Sequence, residues 1–231
     1  MRNIMNATEL NDSLNDIWQA TECTYIPHYF RKPTENQFEG LLTVGGNPSF
    51  AEQNIKNFVV STNNTGDWRL EHFKWETKPS DAIDLSNAEE DYSLVNHSTY
   101  FGAFEELRKE LNAPPWLHTD LFRCRGTSQK EMYKFLNQNP KFKKAQISLF
   151  GKYLTSVRPK LILVANAAAS RIILNHLDME RLDSPSLYET KIEGQRVPVI
   201  LSGMISGGRM DIYSKERLFS LVKKAWKTST Y

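Results

Sequence analysis

The sequence predicts an α/β domain with a central four-stranded parallel sheet held between helices in three layers. Three observations carry this expectation. Four short apolar runs, residues 41–44, 117–122, 161–165 and 197–201, have the length and turn-bounded character of buried strands. The segments between them repeat their apolar residues at three- and four-residue intervals, as helices crossing a parallel sheet would. The chain of 231 residues is long enough to bury one full core.

The elements follow in order. The first run, Leu41-Leu42-Thr43-Val44, stops abruptly on Gly45-Gly46-Asn47-Pro48-Ser49. That stretch is either a plain turn, the usual fate of Asn-Pro, or a ligand loop at the carboxyl end of a parallel strand. Residues 61–96 are polar, carry the turn-like strings NNTGD and KPSD, and scatter Trp68, Phe73 and Trp75. They are expected to be an insertion with little regular structure. Phe101, Phe104, Leu107 and Leu111 mark a helix. In the second strand His118 and Asp120 stand two apart, hence on one face. Ser128 is placed to cap a helix through QKEMYKFL. Phe142, Ala145, Leu149, Tyr153 and Val157 line the next one. After the third strand Asn166 can cap AAASRIILNH, and residues 187–201 read as a hairpin turning at Glu193-Gly194, which adds an antiparallel strand. Leu218, Leu221, Val222 and Ala225 give the last helix. No repeat, low-complexity tract or domain boundary interrupts this, so residues 1–231 are read as one domain.

Composition excludes several classes. Cys23 and Cys124 give no disulfide framework and cannot hold a four-cysteine iron–sulfur cluster. His28, His72, His97, His118 and His176 are scattered, without metal-ligand spacing. The Walker and dinucleotide glycine fingerprints are missing. No metal or other cofactor is expected. The amino-terminal string MRNIMNATELND lacks the apolar core of a secretory signal. The longest apolar stretch, near residues 161–169, falls short of the roughly 20 residues a membrane span needs. A soluble, cytoplasmic protein without a membrane partner is expected. The net charge of +2, from 29 basic and 27 acidic residues, permits a nucleic-acid partner without announcing one. Acids gather at residues 81–91. Bases gather at residues 121–160, among them Arg123, Arg125, Lys130, Lys134, Lys141 and Lys144. These are either a face for a polyanion or a solvated helix surface.

Because ligands gather at the carboxyl ends of the strands of α/β sheets, the four strand ends are best read together: GGNPS (45–49), HTDLFRCRG (118–126), ANAAAS (165–170) and LSGMISGGRMD (201–211). In this order they resemble the uracil-DNA glycosylase superfamily. Gly45-Gly46-Asn47-Pro48-Ser49 is similar to the family's first motif, G-x-[ND]-P. Residues 119–125 are similar to its middle strand and following basic loop, residues 158–167 to the strand–helix unit before the last strand, and Tyr100-Phe101 to the aromatic segment between the first motifs. Two departures stand out. Ser202-Gly203-Met204-Ile205-Ser206-Gly207-Gly208-Arg209 occupies the place of the family's His-Pro-Ser, so the histidine that stabilises the departing base has no counterpart. Asp120 stands where the family usually has Asn.

The resemblance implies a monofunctional DNA glycosylase with DNA as partner. The nucleotide must be flipped from the stack before its glycosidic bond can be reached. Asn47, which cannot accept a proton, would orient the attacking water. Gly46, Phe50, Tyr100, Phe101 and Asp120 would hold the base. Ser202, Ser206, Gly207 and Arg209 would hold phosphates. Met204 and Ile205 are either the wedge left in the duplex or loop anchors packed into the core. Asp120 as a base reader accepts from an amino group, and if protonated also donates to a ring nitrogen. That pattern suits cytosine better than uracil, and a modified cytosine, as in viral DNA, better than the plain base. The other fates open to Asp120 are capping a helix and pairing with Arg123 or Arg125. A catalytically silent nucleic-acid-binding module of the same fold and a nucleoside or nucleotide hydrolase are the alternative functions.

Overall fold

The computed structural model describes residues 4–31, 40–48, 51–62, 68–126, 128–205 and 209–229. Its sheet is built from β1 (Leu41–Gly45), β2 (Trp116–Asp120), β3 (Leu161–Ala165), β4 (Met179–Arg181), β5 (Leu187–Ile192) and β6 (Gln195–Ser202). The helices are α1 (Ala7–Gln19), α2 (Glu52–Thr62), α3 (Ala82–Asn96), α4 (Ser98–Glu110), α5 (Gln129–Gln138), α6 (Pro140–Val157), α7 (Ala167–His176) and α8 (Ile212–Thr228). A 3₁₀ turn spans Leu70–Phe73.

The strands lie in the order β2-β1-β3-β6-β5-β4. The first four are parallel, as the apolar runs predict. β5 extends the sheet antiparallel, as the hairpin reading of residues 187–201 expects, and β4, which is unexpected, widens it to six strands. The β5–β6 hairpin turns at Glu193 and Gly194, both at positive φ, the geometry that two-residue hairpin loops require. The short β4 carries no apolar run of its own, so the sequence gives no sign of it.

Side-chain alternation divides the core. Leu42, Val44, Ile162, Val164 and Val199 face one layer, with α1, α5, α6 and α7, where Trp18 of α1 meets Phe142 of α6 at 5.2 Å. Leu41, Leu163 and Ile200 face the other, with Phe104 and Leu107 of α4 and Leu218, Phe219 and Val222 of α8. Each fully buried aliphatic or aromatic side chain contributes about 1.5–3 kcal/mol. The helix caps read from the sequence are present. Ser128 Oγ accepts from Glu131 N–H at 3.1 Å. Asn166 Oδ1 accepts from the amides of Ala168 and Ala169 at 3.1 and 3.0 Å. A capping box between Asn6 and Glu9, followed by Leu10, Leu14 and Trp18 on one face, starts α1, which the strand-centred reading passes over.

The largest correction concerns residues 61–96. The chain there is not a structureless insertion: α2 runs to Thr62 and α3 fills Ala82–Asn96. The reason it escapes apolar periodicity is that the inward stripe of α3 is polar. Leu85, Ser86, Glu89, Glu90 and Ser93 recur at helical spacing and are buried. The acidic run is therefore in part an interior face of the protein.

Candidate functional site

The crevice lies just beyond the carboxyl ends of the four parallel strands, where the order reverses between β1 and its two neighbours. This is where α/β sheets hold ligands. A cavity of about 500 Å³ opens there. Gly46, Asn47 and Pro48 follow β1, Asp120 ends β2, Asn166 follows β3 and Met204 follows β6, and all six line it. The opposite wall comes from α3 and the start of α4: Glu89, Glu90, Ser93, Tyr100 and Phe101.

Space accounts for the two glycines on which β1 ends. Gly45 pairs with Asp120 in register. A methyl group at Gly45 would stand 2.1 Å from Asp120 Oδ1 and 3.0 Å from the Tyr100 hydroxyl. At Gly46 it would stand 2.9 Å from Asn166 Nδ2. The side chains of the flanking strand ends thus close directly over the β1 backbone. Asn47, half-buried, donates from Nδ2 to the Pro48 carbonyl at 3.1 Å. The Gly126 amide donates to the same carbonyl at 3.3 Å, tying the loop to the segment after β2.

Asp120 is 5% exposed. Burial pushes its carboxyl up from 3.8 to about 7, Arg123 and Arg125 pull it back in part, and Glu89 adds to the rise. His118 Nε2 approaches Asp120 Oδ2 to 4.0 Å, as their shared strand face predicts. This is no ion pair at neutral pH, because burial and the charge of Arg123 push His118 down to about 3. The imidazole instead packs against Phe101 and Tyr100, at 5.1 and 5.7 Å between ring centres. Its Nδ1 lies 2.9 Å from Thr43 Oγ1.

Behind Asp120 stands a buried charge array. Arg125 Nη1 meets Glu89 Oε2 at 3.0 Å. Glu89 Oε1 also accepts from Ser93 Oγ at 3.2 Å. Arg123 Nη1 lies 3.2 Å from His28 Nδ1. A guanidinium only donates, so Nδ1 accepts and the His28 proton sits on Nε2, 3.9 Å from Glu90 Oε2. Burial, with Arg125 and Arg123, holds His28 well below its ordinary range, so it is neutral there. Burial pushes Glu90 up to about 7 against the pull of Arg31 and Arg123. Arg123 lies over the Phe30 ring at 3.9 Å.

Several expectations change. Arg123 and Arg125, 3% and 8% exposed, are not part of a face for a polyanion. They neutralise an acidic interior, and only lysines such as Lys130, Lys134, Lys141 and Lys144 remain exposed in that stretch. Asp120 caps no helix, and it makes no ion pair within 4.0 Å with either arginine among the described residues. Ile205 is 5% exposed and packs with the α4–α8 side of the core. It is a loop anchor, because its apolar side chain finds a dry site there, and it is not available as a wedge. Met204 is half-buried at the cavity rim. Ser202 is half-buried, and its carbonyl accepts from Ser170 Oγ at 2.9 Å. Arg209 is exposed. Phe50, Ser206 and Gly207 lie outside the described residues. Sequence reasoning missed His28, Glu89, Glu90 and Ser93. The only signal for the α3 residues was a polar stripe at helical spacing.

Among the described residues no group of three or more His, Cys, Asp or Glu could hold a metal ion. No helix among them is long and apolar enough to cross a membrane. No family model matches the chain, and no curated protein does.

Proposed function

We propose that the chain is a monofunctional DNA glycosylase of the uracil-DNA glycosylase type, acting on a flipped modified cytosine. The observation that carries this reading is the convergence of Asn47, Asp120, Tyr100 and Phe101 on one cavity beyond the parallel strand ends. Its volume of about 500 Å³ falls within the range of roughly 300–1,000 Å³ typical of small-molecule sites. Among the described residues its lining includes the carboxyls of Glu89, Glu90 and Asp120 and no lysine or arginine. Such walls suit a base rich in hydrogen-bond donors and repel a phosphate.

In this mechanism Tyr100 and Phe101 flank the base. The protonated Asp120 carboxyl donates to the cytosine ring nitrogen, and its other oxygen accepts from the amino group. Asn47 orients a water toward the sugar carbon. The bond between sugar and base breaks as the water oxygen bonds to that carbon. The electron pair leaves with the base, and the proton released by the water ends on it. Electrostatic stabilisation of the departing base supplies most of the acceleration. A silent binding module has one observation in its favour: residues 202–209 hold no histidine.

The test uses oligonucleotides carrying uracil, mismatched thymine, hypoxanthine, cytosine, hydroxymethylcytosine or glucosylated cytosine, with abasic sites read by alkaline cleavage. Cleavage at a modified cytosine, lost in Asn47→Ala, is expected. Cleavage of uracil alone sinks the role given to Asp120. Tight binding without product on any substrate leaves the module.

A further inference from the structure

A second concavity, of about 780 Å³, lies beside the first, between α7, α8 and the turn that leads into β5. The two share one loop. Ser202 and Gly203 line the second cavity, and the next residue, Met204, lines the first. We propose that this basin seats the phosphodiester backbone of the nucleic-acid strand whose base enters the cavity over Asn47. The proposal rests on the glycosylase-type reading of that cavity and adds where the strand lies.

Charge separates the two concavities. Among the described residues, the cavity over Asn47 is lined by three carboxyl groups and no lysine or arginine, whereas the basin is lined by Arg217 and Lys224 and no acid. A phosphate adjoining the flipped base is therefore excluded from the first and welcomed in the second. Hydroxyls complete the basin: Ser184 and Ser186 before β5, Ser202 at the end of β6, and Ser214 and Ser220 on α8. Serine hydroxyls and cationic side chains are the groups that hold phosphate oxygens.

The cations of α8 are also sorted by face. Lys215 and Lys223 pair with Glu106 and Glu110 of α4. Arg217 and Lys224, both exposed, make no ion pair among the described residues. Asp211, close enough to be influenced by Arg217, is engaged in capping α8. It accepts from the Ser214 amide at 3.0 Å and the Ser214 hydroxyl at 2.6 Å. Arg217 Nη2 contacts Ser214 Oγ at 3.3 Å. Tyr213, Arg217, Ser220 and Lys224 fall four, three and four apart, hence along one stripe of the helix. Tyr213 is 70% exposed at the start of that stripe. An exposed aromatic ring beside a cationic groove is the arrangement on which unstacked bases rest.

The test measures binding of fluorescein-labelled, unmodified single-stranded and duplex oligonucleotides by anisotropy across a salt series. The proteins are the wild type, Arg217→Gln/Lys224→Gln, Tyr213→Ala, and Lys141→Gln/Lys144→Gln as a control on α6. Each lost phosphate contact lowers the slope of log affinity against log salt by about 0.7 on single strands and 0.9 on duplex. The basin double variant is expected to lose about 1.4 from the single-strand slope, and at least tenfold in affinity at low salt. Tyr213→Ala is expected to weaken single-strand binding several-fold with the slope unchanged. The α6 control is expected to match the wild type. An unaltered slope in the basin variant, a slope lost in the α6 control instead, or no salt-dependent binding by the wild type overturns the proposal. Binding to unmodified DNA is read without cleavage, so absence of glycosylase activity with the expected slopes rejects the catalytic reading alone. Normal slopes in the basin variant of an active enzyme reject the basin alone.

Discussion

Replacing Asp120 by Asn removes one ionisable group from the cavity floor with almost no change in shape. Asp120 is 5% exposed, and burial raises its carboxyl to about 7 from 3.8. The unfolded chain ionises near the ordinary value. Below pH 4 both states are protonated and the group is neutral toward stability. Between 4 and 7 only the unfolded chain ionises, so the wild type loses stability as pH rises. Above 7 the folded carboxyl ionises too and the loss levels off. A pH unit is worth about 1.36 kcal/mol. Across pH 5 to 8, of which two units fall inside the window, Asp120→Asn should therefore gain about 3 kcal/mol over the wild type, with the difference flat above pH 7. Urea unfolding of both proteins at pH 5, 6, 7, 8 and 9, followed by tryptophan fluorescence, measures it. A pH-independent difference would refute the reasoning. That flat profile is what Asp120 would give as an ionised partner of Arg123 or Arg125, because its stabilisation would already be complete above pH 4. The same variant exchanges an acceptor-plus-donor acid for an amide, so its base preference should move toward uracil in the cleavage assay.

Asn47→Ala should cut cleavage about 100-fold or more and leave base-analogue binding and denaturation midpoints close to wild type, since the side-chain bond it makes among the described residues is the local one to Pro48. Gly45→Ala drives a methyl group to 2.1 Å from Asp120 Oδ1; denaturant melts should show a loss of about 1–3 kcal/mol from overpacking, and the cavity should lose its ligand. Arg125→Met strands Glu89, which is 7% exposed, and should cost about 3–5 kcal/mol, much of it recovered in Glu89→Gln/Arg125→Met; a double-mutant cycle reads the coupling. Asn166→Ala removes the acceptor for two α7 amides and should cost about 1 kcal/mol by the same melts.

The parallel half of the sheet was legible because strands buried on both faces, such as 161–165, must be apolar throughout. The caps at Ser128 and Asn166 were legible because an orphan amide needs a side-chain oxygen nearby. Asn47 and Asp120 could be placed together from strand ends, since topology alone brings those ends together, whereas Tyr100 lies at the start of α4 and came from the family resemblance. What could not be read was α3. Its buried face includes Ser86, Glu89, Glu90 and Ser93, and a polar stripe looks the same in sequence whether it meets water or two arginines. Those arginines misled in the mirror sense: Arg125 reads as surface charge because its partner Glu89 sits 36 residues earlier in the chain, and Arg123 because the imidazole and rings it packs on come from distant segments. Ile205 was equivocal because an apolar residue in a glycine-rich loop is written alike for a wedge and an anchor.

The buried arginine pair also bears on the histidine that the last loop lacks. Arg125 is matched by Glu89 at 3.0 Å. Arg123 has no carboxylate within 4.0 Å among the described residues, and its Nε has no hydrogen-bond partner. Its contacts include a neutral imidazole, the rings of Phe30 and Tyr153, and Gln146, whose Oε1 accepts from the Arg123 backbone amide at 2.6 Å. The two carboxyls that feel its charge, Asp120 and Glu90, are both raised to about 7, so near neutrality they cancel it only in part. An incompletely neutralised guanidinium in a dry interior destabilises the fold. It also places a fixed positive potential beneath the cavity, in a medium where charge acts strongly. On the glycosylase reading the group that develops negative charge is the departing base, and preorganised charge of this kind needs no rearrangement as the bond breaks. On that reading Arg123, acting through the field it imposes on Asp120 and the base, would take the part of the histidine that the last loop lacks.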